Sequence, residues 1–177
     1  MNTIHFKPAV LADAAEIARL VNSAYRPVSG GGGWTHESNL LSGPRTSPRQ
    51  VHELICTSTV IVGVIGCSIV ACAHISVSNF EARIGMLAVA PSLQASGVGK
   101  KLLAFAEEHA SVQLDAAEFV LVVVSARSEL IEFYRRRGYE LTGIQLEYPA
   151  GSGVGTPISG ALSLAVLRKC SSKLSRA

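Results

Sequence analysis

Hydrophobic residues recur along the chain with two different periods, one typical of helices and one typical of strands. Ile17, Leu20 and Val21 lie three or four residues apart, which places them on one face of a helix. Asp13 and Glu16 before them form the pattern of a capping box. The same period and the end signals predict four helices: 13–25, a helix that begins at Ser47-Pro48, 97–114 and 128–134.

Strands are predicted where β-branched residues alternate with others or form short apolar runs. Residues 119–124 (FVLVVV) form a continuous apolar run, as expected for a strand that is buried on both faces. The other predicted strands are 4–6, a hairpin over 59–77 that turns near 66–68, 83–89, 139–148 and 158–167. Strands and helices alternate in the second half of the chain, which predicts a parallel pair within a mixed sheet. The fold class is therefore α/β.

The composition excludes several classes of protein. The chain has 177 residues, of which 48% are hydrophobic and 16% charged, so a disordered tail, a collagen and a coiled coil are excluded. The most apolar stretch, 60–73, is interrupted by glycine and serine and falls short of the roughly 18–20 residues of a membrane-spanning helix. The N-terminus lacks the layout of a secretory signal. We therefore expect a cytoplasmic protein that does not bind membranes.

Charge and cysteine usage narrow the expected partners further. The net charge of +3 is too small to predict nucleic-acid binding, and the favourable contact of cations with the end of a helix dipole explains the arginines at 135–137. The four cysteines form no CxxC motif and no spacing typical of a metal site, so we expect no metal. Only the neighbours Cys72 and His74 could begin such a site.

The most informative segment is a glycine-rich turn between a predicted strand and a predicted helix. Gly97 and Gly99 let the backbone approach a ligand closely, and the first N–H groups of the helix attract anions such as phosphates. The spacing excludes a Walker A loop, because Gln94 replaces a required glycine and Lys101 a required serine or threonine. It also excludes a dinucleotide fingerprint, because Leu102 replaces the third glycine. A plain tight turn remains as the alternative.

A third pattern fits this turn. Residues 89–99 follow V-x-P-x-x-Q-x-x-G-x-G, which resembles the acetyl-CoA loop of the GNAT superfamily of N-acetyltransferases. Residues 130–139, with Tyr134 in a helix that ends at a glycine, are similar to the second signature of that superfamily. The resemblance spans nearly the whole chain. It implies that residues 1–177 form a single GNAT N-acetyltransferase domain, whose mixed sheet of about six to seven strands is flanked by four helices and splayed between the fourth and fifth strands.

By this resemblance acetyl-CoA is the cosubstrate, and it is bound largely by the backbone. The N–H groups of residues 94–100 would hold the pyrophosphate, and the pantetheine arm would pair with residues 86–89 like an added strand. Lys100 and Lys101 would add charge near the 3′-phosphate, and Ser125 lies where relatives carry a cofactor-binding asparagine. The cofactor-binding residues that the resemblance implies are Met86, Leu87, Ala88, Val89, Gln94, Ala95, Ser96, Gly97, Val98, Gly99, Lys100 and Ser125.

The resemblance also implies the catalytic groups. The N–H of Leu87 would donate to the thioester carbonyl, and Tyr134 would protonate the departing CoA thiolate. Arg83 replaces the glutamate that many relatives carry early on this strand. Glu81, two residues earlier on the same strand face, is therefore predicted to accept the proton of the amine. The other candidates for this role are Glu37, His36, His74 and a chain of water molecules.

The acceptor site is predicted beside the loop between the first two helices. Trp34 and Glu37 could hold an ammonium group through cation–π and charge contacts, and Arg45 could bind a carboxylate. Alternatively, Trp34 only anchors the loop. Tyr25, at the end of the first helix, could line the same pocket. These residues predict acetyl transfer to a primary amine of a small molecule. Direct attack in a ternary complex is expected, because no cysteine lies in either motif.

Two other functions remain open at this stage. Arg83 in place of the usual glutamate is compatible with a CoA-binding regulatory module that has no turnover. An open groove instead of a pocket would favour a protein or peptide as the acceptor. A second glycine cluster, 151–156, is interpreted as a lid or a hairpin loop, because no helix follows it. The last two strands could present an edge to a second copy, so a homodimer is a further expectation.

Overall fold

The computed structural model describes residues 3–27, 33–149 and 151–171. Four helices flank a sheet of seven strands, and a pair of two-residue strands lies apart from it. In chain order the elements are β1 (His5–Pro8), α1 (Ala14–Tyr25), β2 (Leu41–Ser42), α2 (Pro48–Thr57), β3 (Thr59–Ile65), β4 (Ser68–Ser78), β5 (Glu81–Val89), α3 (Val98–Gln113), β6 (Glu118–Val124), α4 (Ser128–Arg135), β7 (Glu140–Glu147), β8 (Thr156–Pro157) and β9 (Ser163–Cys170). The predicted fold class, a mixed sheet with four flanking helices, is confirmed.

The large sheet opens in its middle. Its strand order is β1-β3-β4-β5-β6-β9-β7, and every pairing described is antiparallel except that of β5 with β6. The parallel pairing holds only residues 81–83 against residues 118–120. Beyond Arg83 the two strands separate, and the rest of each strand faces a gap. The predicted splay is confirmed, and it leaves the backbone edge of β5 from Ile84 onward without β6 as a neighbour.

Apolar helix faces cover both sides of the sheet. Leu102 and Leu103 of α3 are 0% and 1% exposed and pack with Phe119 of β6 on one side. Ile17 and Val21 of α1 are fully buried in a second cluster on the other side. Burial of one such side chain contributes about 1.5–3 kcal/mol relative to its exposure. The two clusters thus lie on opposite faces of the sheet, and that of α3 contains residues from both β5 and β6.

Strand β5 carries a β-bulge where it borders the gap. Its register against β4 moves from Cys72 opposite Ala88 to His74 opposite Gly85. Met86 and Leu87 therefore both face Ala73, and the backbone φ of Met86 is +47°. A bulge leaves its extra residue out of the ladder and re-aims the peptide groups around it. The backbone at Met86 and Leu87 is thus directed by the bulge and not by regular pairing.

Three local expectations are corrected. The capping box at Asp13 does not form, because its carboxylate accepts from the Val10 N–H at 2.9 Å and a 3₁₀ turn, Leu11–Asp13, precedes α1. The last long strand begins at residue 163, not at 158, and ends at 170. The segment before it forms β8, which pairs with β2 and so joins the loop after α1 to the loop after β7. The other helices begin and end within one residue of the predicted positions.

Within the described residues, no helix is long and apolar enough to cross a membrane.

Candidate functional site

Two cavities meet where the sheet opens. The larger, of about 330 Å³, lies beside the glycine-rich turn and is called here the glycine-loop cavity. It is lined by Ala24, Tyr25, Trp34, Thr35, Leu87, Ala88, Val89, Gln94, Ala95, Gly97, Gly99, Lys100, Arg127, Leu130, Phe133, Arg136 and Arg137. Strand β5, the start of α3 and one face of α4 thus form its walls.

The N-terminus of α3 provides an anion-binding surface in this cavity. Gly97 precedes the helix with a φ of +88°, a left-handed conformation that favours glycine. The first helical hydrogen bond runs from the Lys101 N–H to the Gly97 carbonyl, at 3.1 Å. In the described parts of the chain, the N–H groups of residues 95–100 find no backbone acceptor. Unpaired N–H groups at the positive end of a helix dipole bind phosphate groups.

Cationic side chains add to this surface. Lys100 in the first turn of α3 lines the glycine-loop cavity, and Arg136 and Arg137 line it from the end of α4. The Arg137 guanidinium lies 3.3 Å from the centroid of the Phe133 ring and donates to the Phe133 carbonyl. Burial lowers the pKa of Arg137, and Arg136 lowers it further, although a guanidinium remains charged near neutral pH. The cavity therefore combines backbone donors with positive charge.

An orphaned acceptor also lies in this cavity. The Gln94 amide donates from Nε2 to the Val89 carbonyl at 3.2 Å, while its Oε1 is buried and accepts no hydrogen bond from the described residues. A buried acceptor without a donor is destabilising. Gly33 packs on the same amide, and a Cβ at Gly33 would lie 1.9 Å from Oε1.

Most of the predicted cofactor positions lie here. The predicted residues that line the glycine-loop cavity are Leu87, Ala88, Val89, Gln94, Ala95, Gly97, Gly99 and Lys100. Met86 lines the second cavity instead, and neither cavity is lined by Ser96, Val98 or Ser125. The hydroxyl of Ser125 is buried and has no hydrogen-bond partner among the described residues.

Sequence reasoning missed the contribution of α4. Phe133, Arg136 and Arg137 all line the glycine-loop cavity, whereas the arginines were explained by the helix dipole alone. The end of α4 and the start of α3 lie on the same side of the gap. The register of α4 against the glycine loop, which the sequence does not state, decides which arginines face the cavity.

The second cavity, of about 260 Å³, lies in the gap between β5 and β6 and is called here the inter-strand cavity. It is lined by Tyr25, Glu37, Arg45, Arg83, Ile84, Gly85, Met86, Leu87, Leu121, Val122, Val123, Val124, Arg127, Leu130, Tyr134, Tyr148, Pro149, Ser152, Val154 and Leu164. Tyr25, Leu87, Arg127 and Leu130 line both cavities. The two spaces therefore share a wall at the β-bulge of β5.

Two tyrosines border this shared wall. Tyr134 is 4% exposed, and its hydroxyl has no hydrogen-bond partner among the described residues. Tyr25 donates its hydroxyl proton to the Leu87 carbonyl at 3.1 Å. Burial raises the pKa of both tyrosines above the ordinary value of 10.0. Both phenols are thus protonated at neutral pH, and that of Tyr134 has its proton available.

A buried ion-pair cluster holds the loop after α1 in place. The Glu37 carboxylate is bound by Arg26 Nη1 at 2.5 Å and by Arg127 Nη1 at 2.9 Å. Arg127 also donates to the Thr35 hydroxyl. All three charged side chains are at most 10% exposed. Both carboxylate oxygens of Glu37 are therefore occupied by guanidinium groups, although the side chain lines the inter-strand cavity as predicted.

The other predicted residues lie farther from the shared wall. Glu81 binds Arg168 Nη2 at 3.1 Å and lines neither cavity. His74 shares a hydrogen bond of 2.8 Å with the Ser58 hydroxyl, and burial lowers its pKa. His36 lines neither cavity.

Trp34 and Arg83 lie at opposite ends of the site. Trp34 lines the glycine-loop cavity, with its ring centroid 6.0 Å from that of Phe133, and not the inter-strand cavity where the acceptor was expected. Arg83 lines the inter-strand cavity. Among the described residues, no group of three His, Cys, Asp or Glu side chains could hold a metal ion.

Comparisons with known proteins agree with this geometry. Residues 56–141 match the family model of the acetyltransferase (GNAT) domain. A putative acetyltransferase from Salmonella typhimurium, solved with its cofactor acetyl-CoA, has a TM-score of 0.70 and 16% identity over 95% of this chain and 94% of that chain. A ribosomal-protein-alanine N-acetyltransferase from Brucella melitensis has a TM-score of 0.70 and 17% identity, over 94% of this chain and 99% of that one.

A putative acetyltransferase from Acinetobacter baylyi is similar as well, with a TM-score of 0.73 and 13% identity over 96% of this chain and 94% of that one. No curated protein sequence matches the chain significantly. At these identities the solved structures establish the fold. The resemblance that the two sequence motifs carry is therefore confirmed: this chain has the GNAT fold, and residues 56–141 match the model of the GNAT acetyltransferase domain.

Proposed function

We propose that the protein is an N-acetyltransferase that transfers an acetyl group from acetyl-CoA to a primary amine of a small molecule. One observation carries the proposal. A cavity with unpaired backbone N–H groups and cationic side chains shares a wall with a second cavity, and this wall contains the bulged backbone of Leu87. The arrangement provides a place for a phosphate-bearing donor and a separate place for an acceptor, with one contact point between them.

The residues of the glycine-loop cavity suit acetyl-CoA. The N–H groups of residues 95–100 would hold the pyrophosphate, and Lys100 and Arg136 would bind further phosphate oxygens. The edge of β5 beyond Arg83 has lost β6 as its neighbour and would pair with the amide groups of the pantetheine arm. When bound, acetyl-CoA supplies the acetyl group as an activated thioester.

Two groups of this chain would promote the transfer. The N–H of Leu87, at the bulge, would donate to the thioester carbonyl and stabilise the negative charge that develops on its oxygen. Tyr134 would give its proton to the departing sulfur, because the phenol is protonated at neutral pH and its hydroxyl is not engaged by the described residues. In this reaction a bond forms between the amine nitrogen and the acetyl carbon, and the bond between that carbon and the CoA sulfur breaks. The nitrogen gives up one proton and the sulfur takes up one.

Direct attack by the amine is supported by the placement of the cysteines. None of the described residues that line the two cavities is a cysteine. Cys72, whose thiol lies 3.8 Å from the Met86 carbonyl, is fully buried, and its pKa is raised to about 12 by that burial. A thiol with so high a pKa is a poor nucleophile near neutral pH.

The proton of the amine needs an acceptor, and the sequence assigns this role to Glu81. Its contact with Arg168 and its distance from both cavities do not favour that assignment. Glu37 lies closer, but its two oxygens are held by Arg26 and Arg127. We propose that water carries this proton out of the inter-strand cavity.

A small acceptor is favoured over a protein chain. The loop after α1 and the loop after β7 both line the inter-strand cavity, and they are joined by the pairing of β2 with β8. This joined pair of loops covers the place where an extended peptide would have to lie. A cytoplasmic location and a homodimer stay predictions from the sequence.

The test is release of the CoA thiol in the presence of acetyl-CoA and a panel of primary amines, with mass spectrometry of the product. The proposal expects one amine to gain the mass of one acetyl group in place of a hydrogen, together with one thiol released per product. Thiol release without an acetylated product, or no release with any amine, would contradict it.

A further inference from the structure

The inter-strand cavity has an excess of positive charge. Arg45, Arg83 and Arg127 line it, and Glu37 is the one acidic residue among the described lining residues. That carboxylate is shared between Arg127 and Arg26, so each of its oxygens already has a cationic partner. Glu129, which does not line the cavity, also pairs with Arg127 at 3.5 Å, so the excess of positive charge in the cavity rests on Arg45 and Arg83.

Arg45 and Arg83 have no carboxylate partner among the described residues. Neither guanidinium lies within 4.0 Å of an acidic oxygen in the described parts of the chain, whereas the exposed Arg49 and Arg135 do form such pairs. The two residues come from different elements, one from the loop before α2 and one from β5, and yet they line the same cavity. Two unpaired cations in one cavity repel each other. An anion that binds between them or beside them offsets this repulsion.

Arg45 is held in position although its charge is not neutralised. Its backbone N–H donates to the Asn22 side-chain oxygen at 2.7 Å, and its guanidinium lies 5.4 Å from the centroid of the Tyr25 ring. The hydroxyl of the same tyrosine is 3.1 Å from the Leu87 carbonyl. The guanidinium is thus anchored one aromatic ring away from the bulge, while its N–H donors make no hydrogen bond to the described residues.

Arg83 lies where the sheet opens. It is the last residue of β5 that pairs with β6, opposite Val120, and its exposed side chain borders the cavity at this point. By the resemblance, many related enzymes carry a glutamate at this position. Arg83 therefore places a positive charge beside the bound acceptor where a glutamate would place a negative one.

We propose that the acceptor of this enzyme is an amine that also carries a carboxylate, as an amino acid does, and that Arg45 and Arg83 bind this carboxylate. The inference rests on the proposed function and names the substrate class for the same site. The planar guanidinium forms paired hydrogen bonds to a carboxylate, which fixes the orientation of the bound molecule. Polyamines and other purely cationic acceptors would be repelled by the same charges.

The volume of the cavity agrees with such an acceptor. Pockets for drug-sized ligands measure about 300–1,000 Å³. The inter-strand cavity, at about 260 Å³, lies just below this range and has apolar walls from Leu121, Val123 and Leu164. It therefore suits a molecule of amino-acid size with a partly apolar side chain.

The experiment compares L-amino acids with the matching amino-acid amides in the thiol-release assay with acetyl-CoA. Each pair has the same side chain and amine, and only the carboxylate is replaced by a neutral group. The best acid should exceed its amide at least tenfold in kcat/KM. Arg83→Gln and Arg45→Gln should each lower kcat/KM for the acid at least tenfold, while the Kd of acetyl-CoA stays unchanged. Arg83→Lys should restore part of the loss because it restores the charge.

Arg49→Gln is the matched control, since Arg49 is exposed on α2 and pairs with Glu53 outside both cavities. This variant should leave kcat/KM unchanged for both the acid and its amide. Amides or spermidine accepted as well as the acids would overturn the inference and leave acetyl transfer standing. Variants of Arg45 and Arg83 that keep the full preference for acids would also overturn it. No thiol release with any acid, amide or polyamine would instead overturn the proposed function, and this inference with it.

Discussion

At the scale of single residues, the proposed chemistry depends on Leu87 and the two tyrosines beside it. Tyr25 and Tyr134 have similar surroundings, since both are aromatic, both line the inter-strand cavity and burial raises the pKa of both. Their hydroxyl groups differ in occupation. That of Tyr25 is bound to the Leu87 carbonyl, whereas that of Tyr134 has no partner among the described residues. We therefore assign a positioning role to Tyr25 and a proton-donating role to Tyr134.

Substitution of Tyr134 by phenylalanine tests this division. The Phe side chain keeps the ring contacts to Phe133 and Tyr139, at centroid distances of 5.2 and 5.9 Å, so folding should not change. Loss of the acid should lower kcat by about 10²-fold, the lower end of the range for general acid catalysis. Steady-state thiol release measures kcat, and the Kd of acetyl-CoA should stay as in the wild type. An unchanged kcat would exclude Tyr134 as the proton donor.

Two neighbouring lysines offer a second test at this scale. Lys100 lines the glycine-loop cavity, whereas Lys101 does not, although both are exposed in the first turn of α3 and were expected to act together. Lys100→Gln should weaken the binding of CoA about threefold to tenfold, in a salt-dependent manner, since an exposed charge contributes little beyond that. Lys101→Gln should leave the Kd unchanged. Equal effects of both substitutions would show that the positive charge acts at long range and not by contact.

At the scale of elements, one buried cluster fixes the loop after α1 against α4. Glu37 comes from the loop, Arg26 from the end of α1 and Arg127 from the residue before α4. The shared wall of the two cavities depends on this junction, because Arg127 lines both of them. The cluster positions the loop and leaves no free carboxylate for an ammonium group.

Glu37→Gln distinguishes this structural role from direct contact with the acceptor. Removal of one partner of a buried ion pair leaves uncompensated charge and costs about 3–5 kcal/mol. Unfolding by urea should therefore show a loss of stability of that order. If Glu37 instead held the acceptor's ammonium group, the variant would keep its stability and only raise KM for the amine. Asp13→Asn, on a surface turn outside both cavities, serves as the control for loss of a carboxylate.

Much of this fold could be predicted from the sequence, because hydrophobic residues recur at regular intervals within its helices and strands. The stripes of α1 and α3 and the apolar run of β6 span several periods, and the glycine turn has a spacing that separates it from other phosphate loops. Strands β2 and β8 have two residues each and contain no period to detect. Their pairing is decided by contacts over more than 100 residues of sequence, which hydrophobic patterns do not encode.

The site, like the fold, contains some features that could be predicted from the sequence and others that could not. The sequence placed most of the glycine loop beside a cavity, because the motif directly determines the backbone of the turn. The side-chain assignments were less complete, because they depend on packing between distant elements. The ion pair of Glu37 with Arg127 joins residues 90 positions apart, and Trp34 packs on Phe133 across a similar separation. Neither contact leaves a local signal in the sequence.

At the scale of the whole molecule, the splayed sheet explains why two ligands can meet. Beyond Arg83, β5 and β6 diverge, which opens a passage through the sheet between the helices α1 and α2 on one side and α3 and α4 on the other. The glycine-loop cavity and the inter-strand cavity both border this passage at Leu87. A donor and an acceptor can thus approach the same backbone N–H from different directions, as direct transfer requires.

The central claim is that the glycine-loop cavity binds acetyl-CoA, and calorimetric titration of the protein with acetyl-CoA tests it most directly. A Cβ at Gly99 would lie 3.7 Å from both Phe133 and Val89, an ordinary contact distance, so Gly99→Leu should fold while its longer side chain fills the cavity. The account predicts saturable binding to the wild type and at least a tenfold weaker affinity in the variant. Absence of binding to the folded wild type, or equal affinity in both proteins, would contradict it.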